Sequence, residues 1–301
     1  MQRVWFAIVL ASIGWGTAGV ATRSAFNEGV TPYRLAEYRS TFAVVAVLIF
    51  LVVLRRGFPR NRIAWRVGTV MGFTNLAITF ILGTLALQYA GAGFVGLTTA
   101  LIPLFTAAIA HFTPLEERLT VAKTTGLLVG FGGVAVLLLS GDTGLAEGGR
   151  PVIAGMLSIG AVISISIGTL YAKHHAGEYD PLDVTGIHFA SGTILIAIAA
   201  FAVEGGPVAE TGKAWLLLVY LALASTFLPM ILYYWLLQRV TATYAALAGY
   251  VVPVVAIVAG VVFLDEELQS GIILGGVLIL IGVLLTDRAE RRPKKEASAV
   301  R

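Results

Sequence analysis

One stretch of this chain occurs twice, and the duplication constrains the fold more than any other feature. Residues Leu87 to Gly132 align with Leu237 to Gly282 at a constant offset of 150, without a gap. The shift carries Leu87 and Gln88 onto Leu237 and Gln238, Pro103 onto Pro253, and Glu116 and Glu117 onto Glu266 and Glu267. Gly126 and Gly132 fall on Gly276 and Gly282. A shared apolar composition matches leucines by chance. It does not also bring a proline, a carboxylate pair and two glycines to one spacing, so the chain is an internal duplication.

Hydropathy says what is duplicated. The 301 residues are 57% hydrophobic and 13% charged, with mean hydropathy +0.87; soluble domains carry about 25% charged residues. The apolar residues gather into uncharged runs of about 20, enough to cross a hydrocarbon core about 30 Å thick. We place spans at 4–22, 32–54, 65–86, 91–111, 121–140, 151–172, 182–203, 213–236, 241–263 and 270–287. The expectation is an all-α polytopic membrane protein of ten transmembrane helices. A first five-helix repeat covers 1–145, a second covers 146–287, and a basic tail covers 288–301. Five helices per repeat put the copies in opposite orientations, an inverted repeat around a central cavity.

Basic residues set the topology. With the N-terminus in the cytoplasm, the inner segments collect Arg3, the cluster Arg55 to Arg66, Arg118, Lys123, Lys173, Arg239 and the tail. The outer side keeps Arg23, Arg34, Arg150 and Lys213. Both termini are therefore expected in the cytoplasm of a cell with this protein in its inner (plasma) membrane. The first span, with Arg3 ahead of it, imitates a signal peptide but lacks an A-x-A-type site, and reads as a retained anchor. The basic tail reads as a solvated, disordered segment that meets anionic lipid, not as a nucleic-acid site. Cysteine is absent, which excludes disulfides and thiolate metal sites. No cofactor, metal or catalytic group is expected. The expected partners are a small molecule and the bilayer, with the protein a monomer or homodimer.

Polar groups inside the spans are the candidates for function. Trp15 sits mid-span, away from the interface that membrane tryptophans favour. Arg39 lies about 10 Å into the second span; it either meets Glu37 and fastens a helix end, or receives a substrate carboxylate. Asn75 and Thr79 share a face of the third span, and a shift of 150 carries that face onto Ser225, Pro229 and Tyr233. Such stripes need either internal hydrogen bonds or a wet cavity, and the cavity is the simpler account. Pro103 and Pro253 sit mid-span and each free a backbone carbonyl, as hinges or as fixed kinks. Thr98 precedes the first proline, and Tyr244 and Tyr250 accompany the second. Ser164 lies in the sixth span. His188 falls on Arg39 at an offset of 149, so each half places one basic side chain at the same depth. Glu116-Glu117 and Asp265-Glu266-Glu267 are expected to begin the fifth and tenth helices, complementing their dipoles. Gly126-x-x-x-Gly130 and Gly271-x-x-x-Gly275 predict that those two helices pack together, with a dimer interface as the alternative.

Gly14-Trp15-Gly16-Thr17, Pro32 with Arg39, Ala86-Leu87-Gln88-Tyr89-Ala90, Pro103 and Leu115-Glu116-Glu117 together resemble the EamA branch of the drug/metabolite transporter superfamily. Within that branch the chain is similar to bacterial aromatic amino acid exporters. The resemblance covers both halves. It implies ten helices in inverted five-helix repeats, cytoplasmic termini, a central substrate path, and export of amino acids or related metabolites. The positions that match the branch are Trp15, Arg39, Pro103, Glu116 and Pro253.

The favoured function is export of amino acids or related small metabolites by alternating access, facilitative or weakly coupled to protons through His188 or Glu37. Arg39 or His188 would meet the carboxylate; Asn75, Thr79, Thr98, Ser164 and Ser225 would serve polar groups; Trp15 and Tyr233 would contact the side chain. A multidrug exporter would want a membrane-embedded acid for cations, and none is evident. A non-transporting anchor or receptor leaves the polar stripes unexplained. An intramembrane hydrolase built on His188 and Ser191 lacks the oriented third group that activation needs.

Overall fold

In a computed structural model, residues 2–112, 121–206, 210–237, 239 and 247–299 are described, and among them the chain is helical with no strand. The rods are α1 (Gln2–Asn27), α2 (Pro32–Val53), α3 (Arg62–Ala86), α4 (Ala92–Ala110), α5 (Val121–Leu139), α6 (Pro151–His174) and α7 (Pro181–Glu204). They continue with α8 (Gly212–Ala222, running on through Leu228–Leu237), α9 (Leu247–Leu264) and α10 (Ser270–Ala299). Seven stretches, α1 to α4 and α6 to α8, are long and apolar enough to cross a membrane; α5, α9 and α10 carry shorter apolar segments. Large apolar side chains such as Phe6, Val52, Phe201 and Leu216 stand on the outside. In water such a surface is an aggregation liability, and in hydrocarbon it is the solvated face.

Helix starts follow ordinary capping. Asn61 accepts the Ile63 amide at the head of α3, and Thr211 accepts the Ala214 amide at the head of α8. These two caps are 150 residues apart. Pro32, Pro151 and Pro181 open α2, α6 and α7, where the missing N–H leaves no helix bond unmade.

Two departures from regular helix also share the repeat spacing. Residues Gly72–Ile78 in α3 and Leu223–Phe227 in α8 form π turns, wider than the α-helix by one residue per bond. A shift of 150 carries 73–77 onto Leu223–Phe227. The two prolines differ. Pro103 follows a break that separates Ala92–Thr99 from Ile102–Ala110, whereas Pro253 lies inside an uninterrupted α9.

The most extensive helix pair is α5 with α10, as the glycine spacing predicts. A methyl group on Gly126 would stand 2.7 Å from the Gly282 carbonyl oxygen, and one on Gly133 2.7 Å from that of Gly275. Only glycine permits this approach, and the packing lies within one chain. Phe94, Leu97, Leu101, Leu104, Leu137 and Ile279 extend this contact into the largest buried apolar cluster, which ties α4, α5 and α10 together.

The loops gather at two ends. At one end Glu204 accepts from the Thr31 hydroxyl at 2.5 Å and the Arg34 amide at 2.9 Å, while Arg34 donates to the carbonyls of Gly205 and Gly206. The end of α7 and the start of α2 thus cap one another. Glu28 takes Lys213 at 2.6 Å at the same end. At the other end Arg56 pairs with Asp180 at 2.5 Å and Asp183 at 3.1 Å, and Asn61 donates to the Glu178 carbonyl at 2.7 Å. Partial burial opposes ionisation of Asp180. Hydrogen bonds from Arg56 and the Leu182 amide outweigh that and hold the carboxyl below its usual range.

Three expectations change here. Glu266 does not begin α10, which starts at Ser270. Its carboxylate turns to α4, accepting the Ala92 amide at 2.6 Å and the Gly93 amide at 3.2 Å, with Arg23 at 3.6 Å. The head of α10 is served by Asp142, which accepts the Gly271 amide at 2.6 Å. Helix dipoles attract a carboxylate from any nearby loop, so proximity in space decided this. The tail is helical through Ala299, consistent with its Ala, Glu, Lys and Arg content. The first span runs on to Asn27, past a break at Thr17. Glu116, Glu117 and Tyr244 lie outside the described residues, as does the side chain of Tyr250.

Candidate functional site

Each of the two π turns carries a polar cluster, and the two clusters are used differently. In α3 the widened turn leaves the Thr74 carbonyl open to side-chain donors. The Thr79 hydroxyl reaches it at 2.8 Å and the Ser164 hydroxyl of α6 at 2.8 Å. Thr74 donates to Asn75 Oδ1 at 2.9 Å, and Asn75 Nδ2 to the Thr169 hydroxyl at 3.3 Å. Gly168 makes room for both Thr74 and Asn75, since a methyl group there would collide with each. Asn75, Thr79 and Ser164 therefore join two helices through neutral hydrogen bonds along a half-buried stripe, exposed at its Asn75–Thr169 end.

In α8 the corresponding turn meets a cation. Arg39 of α2 donates from Nε to the Thr226 hydroxyl at 2.9 Å, and Nη2 stands 3.4 Å from the Ser225 carbonyl oxygen. The guanidinium carbon lies 4.4 Å from the centre of the Phe80 ring, a cation–π contact. Among the described residues no carboxylate lies within ion-pair distance of Arg39, because Glu37 is taken by Arg34 at 2.5 Å. Of the two readings of Arg39, the contact with Glu37 is therefore not made. One helical turn separates Glu37 from Arg34 on the same face, whereas Arg39 points towards α8. Ser225 is fully buried, and its hydroxyl oxygen has no hydrogen-bond partner.

The remaining candidates take distinct places. His188 of α7 has a buried Nε2 without a partner, and its ring lies 5.2 Å from that of Phe189. Ser191, its neighbour on α7, bonds back to the Ile187 carbonyl at 2.8 Å. Trp15 and Tyr233 set their rings 5.7 Å apart, tilted by 59°, where α1 meets α8, beside buried Ile8 and Leu236. Thr98 is fully buried and donates to the Val95 carbonyl at 2.7 Å, so its hydroxyl is spent on its own helix. Neighbouring Thr99 faces outward. Two open pockets lie elsewhere. One of about 330 Å³ is lined by Arg23, Asn27, Thr31 and Gln88 near the helix ends, and one of about 290 Å³ runs between Thr17 and the valines of α9.

Sequence reasoning missed Thr226, Phe80, Thr74 and the Glu266–Arg23 contact. For Thr226 a signal existed, because Ser225-Thr226 is a polar pair inside an apolar helix. Nothing in the sequence marks Phe80 as the ring under a guanidinium.

The EamA-like transporter family matches this chain twice, over residues 3–139 and 152–287. The "Uncharacterized transporter YoaV" of Bacillus subtilis is 25% identical over 98% of this chain and its own full length. The "Probable terminal-alkyne amino-acid exporter" of Streptantibioticus cattleyicolor is 27% identical over 99% of this chain and 97% of its own. A solved crystal structure with 22% identity has the same fold, with TM-score 0.66 over 97% of this chain and 99% of its own. A bundle of apolar helices whose two matches to one family fill nearly its whole length has one reading: this chain belongs to the EamA-like transporter family and is a multi-pass membrane transporter.

Proposed function

We propose that the transporter exports small zwitterions, amino acids or close relatives, with Arg39 as the receptor of the carboxylate. The observation that carries this is a half-buried intramembrane guanidinium with no carboxylate partner among the described residues, beside an unpartnered buried hydroxyl, Ser225. An intramembrane cation in this condition is a site for an anion. The relative named as an amino-acid exporter supports the substrate class. We keep Trp15, Arg39, His188, Ser225 and Tyr233 as substrate contacts. Asn75, Thr79 and Ser164 are given the part of holding the opposite seam together, and Thr98 that of packing.

The architecture we propose is ten transmembrane helices in two inverted repeats, 1–145 and 146–287, around a central path, with both termini and the 288–301 tail in the cytoplasm. The twin π turns support it. So do the end contacts: 28 with 211 at one end and 178 with 61 at the other are the same pair of positions under the repeat shift. Transport is by alternating access with Pro103 and Pro253 as hinges. It is facilitative or weakly coupled, since Glu37 is committed to Arg34 and Glu266 to α4 and Arg23.

The test is uptake of a panel of labelled amino acids into liposomes holding the purified protein, with and without a pH gradient. Arg39→Ala and His188→Ala are measured beside it. Saturable uptake that ignores the gradient and is lost in Arg39→Ala supports the proposal. Gradient-driven uptake abolished by His188→Ala replaces the facilitative mechanism with proton coupling. No uptake of any amino acid overturns the substrate class.

A further inference from the structure

Arg39 carries five N–H donors in a planar fork, and a carboxylate can dock on either of two edges: Nε with Nη2, or Nη1 with Nη2. The structure closes one of them. The Thr226 hydroxyl accepts from Nε at 2.9 Å, and its own proton goes to the Leu221 carbonyl, five residues back, at 2.8 Å. That second bond is tied to the π turn, whose register brings a carbonyl five residues back within reach. With its proton spent there, the oxygen has to present a lone pair to Arg39. The Phe80 ring covers one face of the guanidinium at 4.4 Å. Nη2 has only a 3.4 Å contact with the Ser225 carbonyl, and no described hydrogen bond engages Nη1.

We propose that Thr226 is a positioning residue that holds Arg39 with its Nη1/Nη2 edge free, so that a substrate carboxylate binds end-on. This rests on the reading of Arg39 as the carboxylate receptor. The repeat shows that the device belongs to one half. A shift of 150 carries Thr226 onto Leu76, a buried apolar residue, and the residue that stands for Arg39 there is His188, whose Nε2 is left without a partner. The wide turn is present in both copies; the hydroxyl that aims a cation is present in one.

The experiment compares uptake of the panel amino acid carried fastest by the wild type with competition by its carboxamide, which keeps the side chain and amine but loses the charge. Thr226→Val keeps the shape and removes the acceptor. It is expected to raise KM about tenfold, the worth of one hydrogen bond to a charged group, with Vmax within twofold. The preference for carboxylate over carboxamide falls with it, and Thr226→Ser restores both. A folded Thr226→Val with unchanged KM and preference, in a background where Arg39→Ala destroys the preference, overturns the positioning role alone. If Arg39→Ala leaves the preference intact, or if the wild type carries no amino acid, the carboxylate reading fails and this role with it. Should Thr226→Val melt early, Thr226→Ala is measured instead: it removes the acceptor without filling the space, and the same KM criterion applies.

Discussion

The third helix of the first half, α3, and its counterpart α8 began as copies and now do opposite things. Both start on a capping side chain, Asn61 or Thr211, and both widen into a π turn at the same repeat position. In α3 the carbonyl freed by the turn is saturated by neutral hydroxyls from Thr79 and Ser164, so the turn has become a seam. In α8 the turn faces a guanidinium and keeps one hydroxyl, Ser225, unspent. The backbone irregularity was inherited, and a few side chains decided whether it packs or binds. Polar groups that satisfy one another rigidify a core, and polar groups left in want of a partner invite a ligand.

The largest effect that would break this contrast lies at Arg39. Arg39→Ala should cut Vmax/KM for a carboxylate substrate about 100-fold, the worth of one or two charge-assisted hydrogen bonds. Its melting temperature should fall by a few degrees at most, since one hydrogen bond to Thr226 and the cation–π contact with Phe80 are lost. A variant that still transports normally puts the site elsewhere. Next comes the seam. Gly168→Val drives a side chain into Thr74 and Asn75 and should cost about 1–3 kcal/mol by overpacking, read as a lower melting temperature in detergent. An unchanged melting temperature means the two helices are not locked together.

A paired measurement sharpens the contrast further. Ser164→Ala removes a made hydrogen bond and should cost about 1 kcal/mol of stability, with KM unchanged. Ser225→Ala removes a hydroxyl with no partner, so stability should hold while KM rises several-fold. Equal KM effects from the two would erase the distinction between seam and site. The smallest effect is at the head of α8. The hydrogen bond from Lys213 holds the Glu28 carboxyl below its usual range. A depressed folded pKa contributes stability above the unfolded value, about 4.3, and loses it as pH falls through the folded value. Acid and salt should therefore loosen the α1–α8 end slightly in the wild type and not in Glu28→Gln. Limited proteolysis at this loop over pH 3 to 7 reads it, and identical profiles would remove the ion pair from consideration.

Much of this was legible in the chain. The 150-residue offset, the charge-free runs and the α5 and α10 glycines all write their consequences along one dimension. Close packing needs small residues at a fixed spacing, and Gly126 and Gly282 show it. The polar stripe of α3 was legible as a stripe. Whether it lined water or met a partner was not, because that depends on Ser164 and Thr169 of another helix arriving opposite. Thr98 illustrates the same gap: a hydroxyl near a mid-span proline suggests a cavity, and the structure spends it on Val95 inside the core. Glu266 was read as serving its own helix, and it serves α4 across the bundle.

The sequence by itself determined that the chain is a duplicated membrane protein of one transporter family, since hydropathy and repeat spacing are summed over many residues and survive local substitution. The tertiary structure alone decided which polar groups are satisfied and which wait. Arg39 took Thr226 and Phe80, left Glu37 to Arg34, and found a turn whose extra residue opened a carbonyl. Hydrogen bonds act over about 3 Å and depend on angle. Such choices therefore belong to the meeting of helices in space and are not written in any one of them.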